Sequence, residues 1–143
     1  MSGFLLDTNV ISEFARADNM PNQQVKNWLE VADPDSLYVS VLTFGEIRKG
    51  IEKLAPGERR SHLDAWLVKD LHEWFENRLL VIDGPIANRW GLLAADAQRA
   101  GRPIAIVDGL LAATALEHKL TIVTRNGADF VGTSVPILNP WQV

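Results

Sequence analysis

Apolar positions along the chain follow two patterns, short continuous runs and longer stretches with helical spacing. The short runs are rich in Leu, Ile and Val and predict buried strands. The longer stretches carry apolar residues on one helical face and predict amphipathic helices. Strands are predicted at FLLD (4–7), LYVSVLT (37–43), LLVID (79–83) and TIVT (121–124), with a last one near VPIL (135–138). Helices are predicted at 10–16, 23–32, 43–54, 60–77, 86–101 and 107–120, the fifth closed by Gly101.

The alternation of strands with helices predicts an α/β fold. We expect a three-layer sandwich in which helices flank a mainly parallel central sheet. No linker or repeat divides the chain, so residues 1–143 are expected to form a single domain. In such sheets, functional sites form outside the carboxyl ends of the strands. Polar residues that directly follow a predicted strand are therefore the first candidates for chemistry.

Composition narrows the class of protein. With 143 residues, of which 47% are hydrophobic and 22% charged, the chain can bury a core of its own. It has no cysteine, which excludes thiolate catalysis and disulfides and favours a cytoplasmic protein. No apolar stretch is long enough to span a membrane. The net charge of −4 argues against a broad nucleic-acid-coating surface, although an enzyme with an acidic, metal-loaded centre remains compatible with it.

Four acidic residues occupy strand ends or helix starts: Asp7, Glu46, Asp108 and Asp129. If they share one cleft, each close pair of carboxylates costs roughly 4 kcal/mol at an effective dielectric near 20. A divalent cation would remove that repulsion, and a site made only of oxygen ligands suits Mg²⁺ or Mn²⁺. The pattern therefore predicts a metal site.

Each acid also has a structural interpretation. Thr43 and Glu46 fit the capping box T-x-x-E, so Glu46 could simply close its own helix start. Asp108 could be an ordinary N-cap, and Asp7 could cap the turn that follows its strand. Asp129 could lie on a solvated loop. Spacing alone leaves these alternatives open.

Three segments together resemble the PIN-domain family, and within it the VapC-type toxins of bacterial toxin–antitoxin pairs. They are LLDTNVIS (5–12), TFGEIRKGI (43–51) and GRPIAIVDGLLAATALEHKLTIVTRNGADF (101–130). The resemblance implies a Mg²⁺- or Mn²⁺-dependent endoribonuclease. It also implies RNA as substrate, inhibition by a VapB-type antitoxin, a homodimer, and a higher toxin–antitoxin assembly.

The resemblance also assigns roles to individual residues. The family's first three acids correspond to Asp7, Glu46 and Asp108. The fourth is Asp129 in our interpretation, with Asn126 as a neutral polar neighbour, because relatives place an acid at one or the other position. All four acids are expected to be catalytic, Asp7 and Asp108 as direct metal ligands. Thr8, Asn9 and Thr124 match polar positions of the family and, with Asn126, are expected substrate contacts. Arg48 and Arg125 are candidate phosphate contacts because they lie beside Glu46 and Asn126, and a solvated surface position would explain them equally well.

Rival functions are a phosphoacceptor signalling domain and a non-catalytic PIN-like binding module. A phosphoacceptor domain needs paired acids after its first strand, whereas Asp7 is followed by Thr8 and Asn9. Retention of all four acids argues against a non-catalytic module. The histidines at 62, 72 and 118 have no metal-ligand spacing, and we interpret them as surface residues.

Overall fold

The computed structural model describes residues 3–14 and 22–143, and a parallel five-stranded sheet forms its centre. The strand order is β3-β2-β1-β4-β5, and every neighbouring pair is parallel. The strands are β1 (Gly3–Leu6), β2 (Leu37–Ser40), β3 (Leu79–Leu80), β4 (Leu120–Val123) and β5 (Ile137–Leu138). The predicted α/β fold with a mainly parallel sheet is confirmed.

Helices cover both faces of the sheet. They are α1 (Thr8–Phe14), α2 (Gln23–Val31), α3 (Val41–Glu52), α4 (Glu58–Ala65), α5 (His72–Trp74), α6 (Gly84–Arg99) and α7 (Ile106–His118). A π-helical segment, Trp66–Leu71, joins α4 to α5. Short 3₁₀ turns lie at Pro34–Ser36, Gly127–Phe130 and Pro140–Gln142. Among the described residues, no helix has the length and apolar character needed to cross a bilayer.

The sheet separates two hydrophobic clusters, as the alternation of side chains along a strand requires. Leu5 of β1 packs with residues of α7, whereas the next residue, Leu6, packs with residues of α1 and α3. On β4, Ile122 and Val123 divide in the same way. Both faces of the central strands are therefore buried, which explains why those strands read as continuous apolar runs.

The most consequential error of the sequence interpretation is the boundary between β2 and α3. The strand predicted over 37–43 ends at Ser40, and the helix predicted over 43–54 begins at Val41. The Ser40 hydroxyl accepts a hydrogen bond from the backbone N–H of Leu42 at 3.0 Å, so Ser40 is the N-cap. Strand pairing with β3 also stops at Ser40, so β-branched Val41 and Thr43 enter a helix against their local preference.

Other boundaries differ more modestly. The single helix predicted over 60–77 is interrupted by the π-helical segment. The strand predicted over 79–83 stops at Leu80, and Asp83 instead caps α6 by accepting a hydrogen bond from Ile86 N at 3.1 Å. The helix predicted over 10–16 begins earlier, at Thr8, and its last two residues lie outside the described ranges.

Candidate active site

Asp7 follows β1 directly and lies at the carboxyl edge of the sheet. Its backbone N–H donates to the carbonyl of Val123 at 3.0 Å, which continues the pairing of β1 with β4 by one residue. Its carboxylate accepts one hydrogen bond on each oxygen, from Thr8 N and from the Thr124 hydroxyl, both at 2.8 Å. A capping side chain normally accepts from the second or third helical N–H. The Asp7 carboxylate is instead held toward β4.

Thr124 follows β4 as Asp7 follows β1, and the level register of the two strands places them side by side. The Thr124 side chain is fully buried. Its hydroxyl donates to Asp7 and accepts from Asn9 Nδ2 at 3.3 Å and from Asn126 N at 3.0 Å. Asn9 Oδ1 in turn accepts from Arg125 N at 3.2 Å. One buried hydroxyl therefore joins the first acid to the loop after β4.

Glu46 lies in the second turn of α3, not in the first turn as predicted, because the helix begins at Val41. Its carboxylate accepts a hydrogen bond from the Thr8 hydroxyl at 2.7 Å. Thr43 is buried and is not the N-cap of this helix. The capping-box interpretation of Thr43 and Glu46 is therefore wrong, and Glu46 is tied to the residue next to Asp7 instead.

Asp108 is the third residue of α7, and the N-cap of that helix is Ala105, whose side chain makes no capping bond. The interpretation of Asp108 as an N-cap is therefore wrong. Its side chain is half-buried. Within residues 3–14 and 22–143, no protein group donates a hydrogen bond to this carboxylate. An ionised group in such a place is poorly solvated and lacks compensation from the protein.

Burial and neighbouring negative charges raise the pKa values of two acids. The pKa of Asp108 rises to about 6, first because the carboxyl is desolvated and then because of the charges of Asp129, Asp7 and Glu46. The pKa of Asp7 is also raised, mainly by burial, although the bonds from Thr124 and Thr8 oppose the shift. The four predicted acids, which come from four separate segments, therefore lie within electrostatic reach of one another.

Asp129 and Asn126 both belong to the loop after β4. Asp129 lies in the 3₁₀ turn Gly127–Phe130 with an exposed side chain, and its backbone N–H donates to the carbonyl of Asn126 at 3.0 Å. The Asp129 charge acts on both Asp7 and Asp108. The exposed side-chain amide of Asn126 forms no bond with another described residue. The geometry is compatible with Asp129 as the fourth acid, which stays a prediction.

The donor chemistry of this acid cluster (Asp7, Glu46, Asp108 and Asp129) fits a hard divalent cation. All candidate ligands are carboxylate oxygens, and one of them, on Asp108, has no hydrogen-bond donor in the described part of the chain. In the same ranges, no three acidic or histidine side chains lie close enough to enclose an ion by themselves. Mg²⁺ commonly keeps several waters and binds through one or two carboxylates, so an open arrangement suits it.

The predicted basic contacts lie in different environments. Arg48 forms ion pairs with Asp64 at 2.6 Å and with Glu52 at 3.3 Å. Its guanidinium is therefore already paired with acids of its own chain. Arg125 is exposed at the rim of the acid cluster, 5.2 Å from the ring centre of Trp141. Contact of either residue with RNA stays a prediction. The three histidines are exposed, as predicted.

Two residues at the rim were missed by the sequence interpretation. Asn139 Nδ2 donates to the carbonyl of Arg125 at 3.4 Å, while Asn139 Oδ1 accepts from Trp141 N at 2.9 Å. Together with the ring contact, these bonds connect the loop after β4 to the C-terminal turn. The Asn-Pro pair at 139–140 is a recognisable turn signal. Nothing local in the sequence indicates which loop that turn contacts.

Comparison with known proteins establishes the family. A family model for the PIN domain matches residues 4–133. The chain belongs to the PIN-domain family. Over 138 residues it is 37% identical to toxin FitB of Neisseria gonorrhoeae, which covers 96% of this chain and 98% of that protein.

Two further relatives agree with this result. The VapC ribonuclease Y4jK of Sinorhizobium fredii is 33% identical over 138 residues, covering 96% of this chain and 97% of that protein. The crystal structure of FitAcB from Neisseria gonorrhoeae superposes with a TM-score of 0.91 at 36% identity, covering 98% of this chain and 99% of that chain. The described PIN fold is thus shared across nearly the full length of these relatives.

Proposed function

We propose that this PIN-domain protein is a Mg²⁺- or Mn²⁺-dependent endoribonuclease that hydrolyses RNA phosphodiester bonds. One observation carries the proposal: Asp108 is half-buried at a site where acids from three other segments act on it, and burial together with the charges of Asp129, Asp7 and Glu46 raises its pKa to about 6. A buried Asp7 and a half-buried Asp108 that repel other acids do not stabilise a fold by themselves, so the cluster points to a ligand of opposite charge. The name of the Sinorhizobium relative, a ribonuclease, supports the same reaction.

Each acid has a distinct role in this proposal. Asp7 and Asp108 would hold the principal ion directly, and Glu46 and Asp129 would bind through water or help a second ion. A bound ion supplies a water of lowered pKa and neutralises charge that develops on the phosphate. The Thr124 hydroxyl orients Asp7, and the Thr8 hydroxyl orients Glu46. The free amide of Asn126 is available to donate a hydrogen bond to RNA.

The biological role we propose is that of a toxin in a toxin–antitoxin pair. The Neisseria relative is named a toxin, and the chain aligns with it along almost its whole length. We infer that a VapB-type antitoxin neutralises this protein in the cytoplasm, and that the toxin forms a homodimer within a larger complex.

The direct test is RNA cleavage by purified protein with Mg²⁺, with and without the substitutions Asp7→Asn and Asp108→Asn. Each removes a charge from the proposed ion site while keeping the size of the side chain. We expect a loss of about a thousandfold, because about 4 kcal/mol of transition-state stabilisation depends on the ion. The products are followed on labelled RNA at several Mg²⁺ concentrations.

Asp70→Asn is the matched control, since Asp70 is an exposed acid of the π-helical segment, outside the acid cluster. It should cleave RNA at the wild-type rate. Wild-type cleavage by Asp108→Asn would contradict the proposal. A protein that cleaves no RNA but is phosphorylated by acetyl phosphate with Mg²⁺ would be a signalling domain instead.

A further inference from the structure

A cavity of 490 Å³ opens beside the acid cluster. Its walls are the end of α6, the loop that leads into α7, and the segment 128–133. Asp108 and Asp129 line it, so it adjoins the proposed reaction centre directly. Its volume lies in the range of about 300–1,000 Å³ that accommodates small-molecule ligands. This space, called the side cavity below, is not explained by metal binding alone.

Arg102 lies on the wall of the side cavity, and the end of α6 fixes its backbone. Gly101 has a positive φ of 73°. The N–H of Gly101 donates to the carbonyl of Gln98 at 3.0 Å, and the N–H of Arg102 donates to the carbonyl of Ala97 at 2.9 Å. These two bonds form a Schellman motif, which ends the helix in one defined geometry. The end of α6 therefore fixes the backbone position from which the Arg102 side chain extends.

The guanidinium of Arg102 rests against Gly132. A Cβ added to Gly132 would lie 3.3 Å from Arg102 Nη2, and this glycine also has a positive φ of 87°. In the described part of the chain, the guanidinium forms no ion pair or hydrogen bond. By contrast, the nearby Arg99 pairs with Asp96. Arg102 therefore presents an uncompensated positive charge to a cavity whose other charged residues include two acids of the proposed site.

The rest of the wall is largely apolar. Leu93, Ala97, Ile104 and Val131 line the cavity, and the side chain of Val131 is 61% exposed. The Thr133 hydroxyl also belongs to the wall, but it donates to the carbonyl of Phe130 at 2.7 Å and accepts from Val135 N at 3.3 Å. Its hydrogen bonds are thus used within its own loop. The cavity offers an apolar surface, the guanidinium of Arg102, which no described residue pairs, the Asp96 carboxylate, which Arg99 pairs, and two acids at the side that faces the reaction centre.

We propose that the side cavity holds one nucleotide of the RNA substrate, next to the phosphodiester bond that is cleaved. Arg102 binds the phosphate of that nucleotide, and the apolar wall contacts its base and ribose. This inference rests on the proposed ribonuclease function and adds a binding residue to it. A chain with a net charge of −4 needs a local cation to bring a phosphate near four carboxylates. Arg102 supplies that charge through a side chain that no other described residue pairs.

The test compares Arg102→Gln with Arg99→Gln, which removes the same charge from the last residue of α6, three positions before Arg102. Cleavage is measured with Mg²⁺, and RNA affinity is measured in EDTA as a function of salt. For Arg102→Gln we expect KM and Kd to rise about tenfold, because a charge-assisted hydrogen bond is lost. The logarithmic salt slope should fall by about 0.7, the value for one phosphate contact on a single strand.

At saturating RNA, kcat of Arg102→Gln should stay near the wild-type value, since Arg102 binds substrate without touching the reacting atoms. Arg99 lies outside the cavity lining but pairs with Asp96 on its wall, so Arg99→Gln should change KM and Kd less than Arg102→Gln does. Arg102→Lys should recover most of the affinity. Substrates with one abasic site next to the cleaved bond should show a raised KM, because the apolar wall loses its partner.

Several outcomes would overturn this proposal without affecting the ribonuclease assignment. Equal KM, Kd and salt slope for Arg102→Gln and Arg99→Gln in an active enzyme would place RNA elsewhere. An Arg102→Gln protein that cleaves RNA normally but resists inhibition by its antitoxin would assign the side cavity to a protein partner. A wild type that binds RNA through Arg102 but never cleaves it would instead contradict the proposed ribonuclease function.

Discussion

The two sides of the acid cluster are built differently. On the side of β1, the carboxylates of Asp7 and Glu46 accept hydrogen bonds from Thr8 and Thr124. On the side of α7, the carboxylate of Asp108 has no donor within the described residues, and the side cavity opens next to it. We call the first side the interlocked side, because the protein itself supplies its hydrogen-bond donors. The α7 side presents a carboxylate to which no described residue donates.

This difference indicates that the two sides of the acid cluster have different roles in the site. Hydrogen bonds that orient a carboxylate reduce the reorganisation needed when an ion or a phosphate arrives. A carboxylate without donors keeps its lone pairs available, and no hydrogen bond opposes the rise of its pKa on burial. The interlocked side therefore acts as the fixed part of the site, and the α7 side as the part completed by ligands. Removing a hydrogen-bond donor from the interlocked side should destabilise the protein. Removing the Asp108 charge from the α7 side should stabilise the metal-free protein.

Among the substitutions that test this contrast between the two sides, Thr124→Val, on the interlocked side, should have the largest effect. This change keeps the shape of the side chain but removes the hydroxyl that serves Asp7, Asn9 and Asn126. A misplacement of about 1 Å at a reacting centre costs about 100-fold in rate, and we expect cleavage of RNA to fall by about that factor. The free energy of unfolding should fall by about 1–3 kcal/mol, since buried polar groups lose a partner.

Thr114→Val distinguishes a positioning role from a general loss of stability. Thr114 is also fully buried, but its hydroxyl donates only to the carbonyl of Leu110 within α7, at 2.7 Å. This variant should lose stability and keep its activity at temperatures where it is folded. If both valine variants lost activity in proportion to stability, Thr124 would have no special part in positioning Asp7.

Much of this arrangement could be predicted from the sequence because strand ends are marked locally. The apolar run before Asp7 and the pattern around Asp108 placed both residues at one edge of a parallel sheet. The start of α3 could not be read in the same way, because the segment before Thr43 has strong β propensity. The strand ends at Ser40, where its pairing with the two residues of β3 also ends. The length of β3 is a tertiary feature, and the one local signal is Ser40 itself, a residue type favoured at N-caps.

The side cavity could not be predicted from the sequence, for a related reason. Its walls come from the end of α6 and from the segment 128–133, which are distant in the chain. Gly101 was correctly predicted as the end of a helix. The position of the Arg102 guanidinium also depends on Gly132, on the other side of the cavity, which no sequence pattern connects with Arg102. Sequence patterns therefore identified the acids themselves, whereas the space beside them required the folded structure.

A smaller effect is expected from Asp108→Asn on the stability of the metal-free protein. The pKa of Asp108 is about 6 in the folded state and 3.8 in the reference state. Between these values the folded state binds more protons, so stability increases as pH falls from 7 toward 4. The asparagine variant should be more stable at pH 7 by about 1 kcal/mol, a value reduced for partial exposure, and the difference should vanish near pH 4.

Unfolding by urea at several pH values in EDTA measures this effect. Asp70→Asn, the exposed control, should follow the wild-type curve throughout. Excess Mg²⁺ should reverse the order at pH 7, because an ion that binds only the folded state stabilises the protein that retains its ligands. A destabilised Asp108→Asn protein in EDTA would show that the carboxylate has a structural partner, and the contrast between the two sides would be lost.

The smallest effect tests whether Glu46 belongs to the interlocked side or to a helix cap. Within the described residues, the buried Thr43 hydroxyl has no hydrogen-bond partner, whereas the Ser40 hydroxyl caps α3. Thr43→Val should therefore raise the free energy of unfolding by up to about 1 kcal/mol, and Ser40→Ala should lower it by about 1 kcal/mol. A loss of stability in Thr43→Val, measured by thermal unfolding, would restore the capping box. Glu46 would then be bound to its own helix, and only Asp7 would remain on the interlocked side.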